Sequence, residues 1–327
     1  MEMNRCVQFV GRQKAELVSC EWKDQAPTAE EIVGRTIVSL ISSGSERGGY
    51  MDYSGEAVYP MSTGYAAVME VLATGQGVES VKKGDLVFTP APHAALQRVR
   101  QSDVVPVPEG MKPEHAVIGR IPAIAMTSLI ETAIRPTEPV AVTGLGIVGL
   151  MCAQVMQHCG YEVFATDPTA NRRAVAESCG LTHVLSSLDE VPGIKGRIGL
   201  GLECSGMEEA AVSLLESLRK GGELSLIGVP WYRSTDLDAH TLLRKIFYGY
   251  VHLHSGWEWS LPRRPSEFLP NSNFGSFLKA MEWIRDGHIR VEGIYQLESP
   301  RYCDKVYGEI AAGRLEKTCA LFDWRRS

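Results

Sequence analysis

PVAVTGLGIVGLMCAQVMQHCGYEVFATDP, residues 139–168, decides the fold. Its first part, Val140 to Thr143, is uncharged and β-branched or small, as a short buried strand requires. Gly144, Gly146 and Gly149 follow as G-x-G-x-x-G, and an apolar helical run extends from Leu150 to His158. Gly160 closes that helix, Glu162 to Thr166 reads as a second strand, and Asp167 stands at its end. Strand, glycine turn, helix, strand and acid, in that order, form a dinucleotide site. Gly144 permits the tight turn, Gly146 lets the backbone approach a pyrophosphate, and Gly149 lets the helix pack on the strand. Ile147 and Val148 open the helix, whose unpaired N–H groups face the phosphates. A membrane span is the competing reading, since Pro139 to Tyr161 carries no formal charge. The three glycines of the turn, Gly160 and a proline interrupt it, and its apolar part falls short of the ~20 residues a bilayer needs.

Asp167 is placed to accept hydrogen bonds from the adenosine ribose hydroxyls and to repel a 2′-phosphate, which favours NAD over NADP. Arg172 and Arg173 weigh the other way, because a nearby arginine can accommodate that phosphate.

Outward from this stretch, the 327 residues suit two domains. An apolar fraction of 44% and a charged fraction of 22% are those of an ordinary globular chain. A net charge of −6 argues against a nucleic-acid or anionic-membrane surface. No secretory signal is visible in MEMNRCVQFV, and the eight scattered cysteines include no C-x-x-C pair. A reduced, cytoplasmic enzyme is expected.

The first ~120 residues carry short β runs at 6–10, 14–19, 32–40, 66–73, 85–88 and 97–99, separated by turn residues, which predicts a barrel-like β domain. Residues 114–133 predict a helix pair. Beyond Asp167, helices at 171–179 and 208–218 alternate with strands at 183–185, 198–203, 223–228 and 249–253, so a doubly wound parallel sheet is expected. A long loop then leads to a helix at 274–286 and a final helix and strand within 302–324.

This organisation resembles the medium-chain dehydrogenase/reductase superfamily over nearly the whole chain. The resemblance rests on ISSGSE (41–46), GYAAVMEVLATGQGVESVKKGDLVF (64–88), PHAALQRV (92–99), the 139–168 stretch, LECSG (202–206), RKGGELSLIGVP (219–230) and KTCALFDW (317–324). It implies an α/β chain with a GroES-like β-barrel catalytic domain at 1–121 and 259–327. A doubly wound Rossmann domain would occupy 122–258. Within the superfamily the chain is similar to zinc-independent members, bacteriochlorophyllide hydroxyethyl dehydrogenase-like enzymes among them. Where zinc members place a cysteine, a histidine with its neighbouring glutamate, and a third ligand, this chain has Ser43, Tyr65 with Ala66, and a residue at or near Ala123. The four-cysteine structural lobe is missing. Zinc is therefore expected to be absent.

Some other group must then handle the substrate proton. The resemblance makes Ser45 the relay hydroxyl and Glu46 the acid behind it, and a Glu46–Tyr65 hydrogen bond is expected. Tyr65 either donates to a substrate oxygen or fills the vacated metal position. Ser45 is either a relay or a turn residue. His93 is either the acid/base or a packed ring. Ser43 is a candidate substrate contact, and Tyr50 and Tyr53 either line the substrate pocket or pack in the framework. Arg120, in an apolar stretch, either pairs with a structural carboxylate or reaches the substrate. The resemblance adds Thr127, Gly206, Val229, Ser255, Arg172 and Lys317 to the cofactor-binding set. The expected function is a zinc-independent, NAD-dependent interconversion of a secondary alcohol and a ketone by hydride transfer. An NADPH-dependent quinone or enoyl reductase and a non-catalytic dinucleotide sensor are the alternatives. A small-molecule substrate and a homodimer are expected, with neither nucleic acid nor membrane as partner.

Overall fold

The computed structural model describes residues 3–22 and 24–327. In chain order it begins with β1 (Met3–Gly11), β2 (Lys14–Glu21), β3 (Glu31–Leu40), α1 (Ser45–Met51), β4 (Met61–Ser62), β5 (Ala67–Thr74) and β6 (Leu86–Thr89). Then come β7 (Leu96–Arg100), β8 (Val105–Pro106), α2 (Pro113–Ile118), α3 (Pro122–Glu131), β9 (Val140–Thr143), α4 (Ile147–His158) and β10 (Val163–Thr166). Next are α5 (Ala170–Ser178), β11 (His183–Leu185), β12 (Ile198–Glu203), α6 (Glu208–Ser217), β13 (Leu218–Leu226), α7 (Ala239–Gly249) and β14 (His252–Ser255). The chain ends with α8 (Asn273–Arg285), β15 (Tyr295–Glu298), α9 (Cys303–Ala311) and β16 (Cys319–Asp323).

The chain divides into two compact units. One comprises the residues up to Arg120 with Phe277–Arg285 and Val291–Ser327. Its larger sheet runs β15-β16-β3-β5-β6-β8, with β7 also paired to β3, and its smaller sheet is β2-β1-β4. Apart from the parallel pair of β15 and β16, the ladders in this unit are antiparallel. Alternation along β3 turns Ile32, Gly34, Thr36 and Val38 inward, as a half-buried strand should. A cluster of Val7, Phe9, Ile41, Tyr50, Val306, Tyr307, Phe322 and Trp324 forms one core. Phe9 meets Tyr307 edge-on at 4.8 Å between centroids, a favoured aromatic geometry.

The other unit spans Ile121–Ser276 and Asp286–Arg290. Its six strands run β11-β10-β9-β12-β13-β14, all in parallel register. Every residue of β9, β10 and β12 is buried, because helices cover both faces. The order reverses between β9 and β12, so the carboxyl ends of these strands form the switch point where a doubly wound sheet binds ligands.

Several elements differ from the sequence reading. Residues 259–276, assigned there to the β-rich domain, belong to the nucleotide-binding unit: Ser260 Oγ donates to the Glu131 carboxylate of α3 and Asn273 Nδ2 to the Leu261 carbonyl. α1 replaces an expected loop despite its two glycines. α7 was not anticipated, although Asp238 caps it by accepting from the Thr241 amide at 2.9 Å. β14 lies three residues later than expected at its start, and β15 is new. Among the described residues no helix is long and apolar enough to cross a membrane.

Candidate active site

The glycine turn is built as its chemistry requires. Gly144 has φ +83°, and its amide donates to the Thr166 carbonyl at 2.8 Å, tying the turn to the end of β10. A Cβ there would lie 2.7 Å from that of Ser205. Around Gly146 there is nothing within 4 Å of a notional Cβ, so the backbone is open where a pyrophosphate would approach. No side chain caps α4, which leaves its first amides available to an anion.

Asp167 is 1% exposed. Its Oδ2 accepts from the Leu145 amide at 2.8 Å, inside the glycine turn, and from Arg172 Nη1 at 3.2 Å. Oδ1 accepts from the Thr169 amide at 2.8 Å. Oδ1, with a single donor, retains lone-pair capacity for a ribose hydroxyl. Arg173 donates to the carbonyls of Asp167 and Pro168 at 2.8 and 2.9 Å.

Glu203 is a participant the sequence reading missed. It ends β12, buried, and accepts from the amides of Ser205 at 2.7 Å and Gly206 at 3.0 Å, and from Ser205 Oγ. Burial pushes its carboxyl above the usual range, while these hydrogen bonds pull it down. The signal was present: an acid at a strand's end immediately before Cys-Ser-Gly. Thr127 Oγ1 is buried and makes no hydrogen bond among the described residues, a donor left for a ligand. Ser255 is exposed at the end of β14, and Val229 is half-exposed beside Gly206. Lys317 is exposed and belongs to the other unit.

In the β-rich unit a second polar group is assembled around Glu46, which α1 carries in its first turn. Glu46 Oε1 accepts from the Ser42 amide at 2.7 Å; Oε2 accepts from the hydroxyl of Tyr307 and lies 3.1 Å from His93 Nε2. His93 Nδ1 is 2.7 Å from Ser39 Oγ, which accepts the Trp324 indole N–H at 2.9 Å. An ionised carboxylate only accepts, so the Nε2–H of His93 faces Glu46, and in a neutral ring Nδ1 then takes the Ser39 proton. The Tyr65 hydroxyl donates to Ser42 Oγ, with Ser45 also within hydrogen-bonding reach.

One sequence expectation changes here, and the residues with open alternatives are placed. Tyr65 meets the Ser42 hydroxyl rather than Glu46, and the two are linked through Ser42: its hydroxyl takes Tyr65, its amide takes Glu46. His93 is 0% exposed with both ring nitrogens engaged, so it holds Glu46 rather than meeting a substrate. Tyr50 is buried, stacked on Tyr307 at 5.6 Å, as core. Arg120, 2% exposed, lies over the rings of Tyr65 and Phe277 at 5.0 and 5.1 Å. Tyr53 is half-buried under the Arg47 guanidinium. Ser43 is half-buried and Ser45 exposed, so the Ser43–Ser45–Tyr65 face is reachable.

A catalytic zinc ion needs about three thiolate, imidazole or carboxylate donors. Ser43, Tyr65 and Ala66 offer an alcohol, a phenol and a methyl group, and Ala123 is a buried methyl. Among the described residues no three His, Cys, Asp or Glu side chains gather to hold a metal. The residues at these positions do not fit zinc. The glycine turn, Asp167 and the orphaned Thr127 hydroxyl do fit a dinucleotide.

Residues 148–250 match the zinc-binding dehydrogenase family. Sorbitol dehydrogenase of Bacillus subtilis is 27% identical over 210 residues, covering 52% of this chain and 60% of that protein. The chain thus aligns with less than two thirds of that relative's length. A structure from Sinorhizobium meliloti bound to NADP superposes with a TM-score of 0.79 at 15% identity, covering 99% of this chain and 100% of that one. Acetophenone reductase from Geotrichum candidum in complex with NAD gives 0.79 at 13% identity, covering 99% and 98%. These likenesses extend over both the antiparallel and the parallel sheet. Residues 148–250 thus carry a zinc-binding dehydrogenase domain, and the chain as a whole shares the two-sheet fold of these dehydrogenase and reductase structures.

Proposed function

We propose that the protein is an NAD-dependent oxidoreductase interconverting a secondary alcohol and a ketone without a catalytic zinc ion. The observation that carries this reading is the buried Asp167 carboxylate, locked to the Leu145 amide within the glycine turn. It can accept from ribose hydroxyls, and it opposes a 2′-phosphate at the same place. Arg172 is already bonded to Asp167 and Arg173 to two carbonyls, so neither stands ready for that phosphate. NADH is therefore expected to bind at least about tenfold more tightly than NADPH, a difference of about 1.4 kcal/mol. Fluorescence titration with both nucleotides checks this; equal or tighter NADPH binding would favour the quinone or enoyl reductase reading.

When bound, a nicotinamide supplies or accepts the hydride. Tyr65 donates its proton to the substrate oxygen in reduction, and the hydroxyls of Ser42 and Ser45 restore it from solvent. Glu46 holds the Ser42 amide, and Tyr307 and His93 hold Glu46, so the Tyr65 acceptor is fixed before substrate arrives. Because the donor set does not suit zinc, dialysis against a chelator should leave turnover unchanged. A screen of secondary alcohols for NADH production tests the activity. Tight NADH binding with no turnover on any alcohol or ketone would favour the sensor.

The assembly we propose is a homodimer through β14. That strand is the edge of the parallel sheet, with its outer ladder unpaired. Beside it α7 turns Leu243 (63% exposed) and Phe247 (74%) to solvent, near Tyr250 and Leu253, more apolar surface than a monomer usually leaves open. Light scattering should report a dimer, and Phe247→Glu with Leu253→Asp should give a folded monomer. A monomeric wild-type chain at micromolar concentration would contradict this.

A further inference from the structure

Among the fully buried side chains the largest is a cation, Arg120. A guanidinium stays charged at any pH a folded protein experiences, and burying it is costly. Here it is held between two aromatic faces, with its Cζ 5.0 Å from the Tyr65 centroid and 5.1 Å from that of Phe277. Tyr65 is the residue whose hydroxyl faces Ser42 and Ser45 at the reachable side of the site. The buried cation therefore lies over the ring face of the residue read as proton donor.

That placement has a consequence for the reaction. A ring face attracts a cation through its quadrupole, and a phenolate, carrying a full negative charge, attracts it more. The contact strengthens as Tyr65 gives up its proton, so it favours the later state over the earlier one. The other groups facing Tyr65 are the Ser42 and Ser45 hydroxyls, which also favour the phenolate, and the Glu46 carboxylate, which opposes it. Burial raises the phenol above its ordinary value, with Arg120 the leading influence in the other direction.

We propose that Arg120 is a positioning residue for proton transfer: a fixed charge behind Tyr65 that stabilises its phenolate, at the site whose side chains do not fit a zinc ion. The proposal rests on Tyr65 as the proton donor. In reduction the hydride adds to the carbonyl carbon and the C=O π pair moves onto oxygen. The Tyr65 O–H bond breaks as its proton passes to that oxygen, leaving the phenolate over which Arg120 lies. A proton from water then returns through Ser45 or Ser42, and oxidation runs the same steps backwards. The guanidinium gains and loses nothing.

The experiment uses the full chain with Arg120→Met, which keeps the volume and removes the charge, and Arg120→Lys, which keeps the charge. Tyr65 is replaced by 3,5-difluorotyrosine in each background, so that its phenol ionises in an accessible range, and phenolate absorbance is followed against pH without nucleotide or substrate. Arg120→Met should raise that ionisation by about 1.5 pH units and lower kcat for ketone reduction by about 30-fold, the size of a desolvated cation–π contact, with the KM for NADH unchanged. Arg120→Lys should recover most of both. Should Arg120→Met fail to fold, Phe277→Leu removes the opposite ring and should move the ionisation in the same direction by less. An ionisation that is the same in Arg120→Met, or in Phe277→Leu where it substitutes, overturns the role of Arg120 whatever happens to turnover. A Tyr65→Phe enzyme with full turnover overturns Tyr65 as donor, an outcome the ionisation measurement does not share.

Discussion

Tyr65→Phe is expected to lower kcat in both directions by about 10²- to 10⁴-fold, the range of general acid catalysis, while NADH affinity stays at the wild-type value. The substitution removes one oxygen. The ring that packs over Arg120 remains, so the fold should be retained. The Ser42 hydroxyl loses its donor and turns to Ser45 or water, both available at this half-exposed face. Nucleotide binding is read at Asp167 and the glycine turn of the other unit, which Tyr65 does not belong to. A loss of kcat with a preserved dissociation constant for NADH separates a proton donor from an aromatic that fills space. Tyr65→Phe with wild-type turnover would mean that water or Ser45 moves the proton.

The contrast with Glu46 sharpens this assignment. Glu46 accepts from three partners in a buried place: the Ser42 amide, the Tyr307 hydroxyl and His93. Its replacement would leave several buried donors unpaired, each costing about 1–3 kcal/mol, so its loss would appear in stability as well as rate. In the proposed reaction Tyr65 acts on the substrate, whereas Glu46 holds the Ser42 amide beside the hydroxyl that Tyr65 meets.

What the sequence disclosed follows from how local each signal is. The 139–168 stretch was legible because strand, turn, helix and acid are contiguous and each glycine has its own steric reason. The strands of the β-rich unit were legible from alternation and punctuation. By contrast, the acceptor of Tyr65 was missed: Ser42 and Glu46 are four residues apart, and choosing between them depends on which way α1 turns. That helix contains Gly48 and Gly49, which propensity counts against. The bond from Tyr307 to Glu46 joins residues 261 positions apart, and nothing in one sequence announces such a pair. His93 was visible as a titratable residue, but its burial was not, because that depends on Ser39 of β3 meeting Phe322 of β16 and Trp324 just beyond it. α7 was hidden for another reason. Most of its apolar residues, Leu243 and Phe247 among them, face solvent, and Ile246 packs on the core, so its apolar positions do not make one buried stripe.

Two glycines of the same motif should fail in opposite ways, and that pair is the strictest test of the nucleotide site. At Gly149 an added Cβ would overlap the Gly144 carbonyl oxygen, a backbone atom held by the turn, with the Cys204 side chain next to it at 3.1 Å. Gly149→Ala must force α4 away from β9. It should cost about 3 kcal/mol or more and lower Tm by roughly 5–10 °C, with NADH affinity falling as a result. At Gly146 the backbone is extended at φ −63° and ψ −175°, which any residue tolerates, and a Cβ meets nothing within 4 Å. Gly146→Ala should leave Tm at the wild-type value. The space it fills is the space a pyrophosphate needs, so NADH affinity should still drop by about 30-fold or more. Calorimetry and NADH titration on the same two preparations distinguish the cases. If Gly146→Ala binds NADH as the wild type does, the phosphates do not pass over this turn, and the dinucleotide assignment for residues 139–168 fails with it.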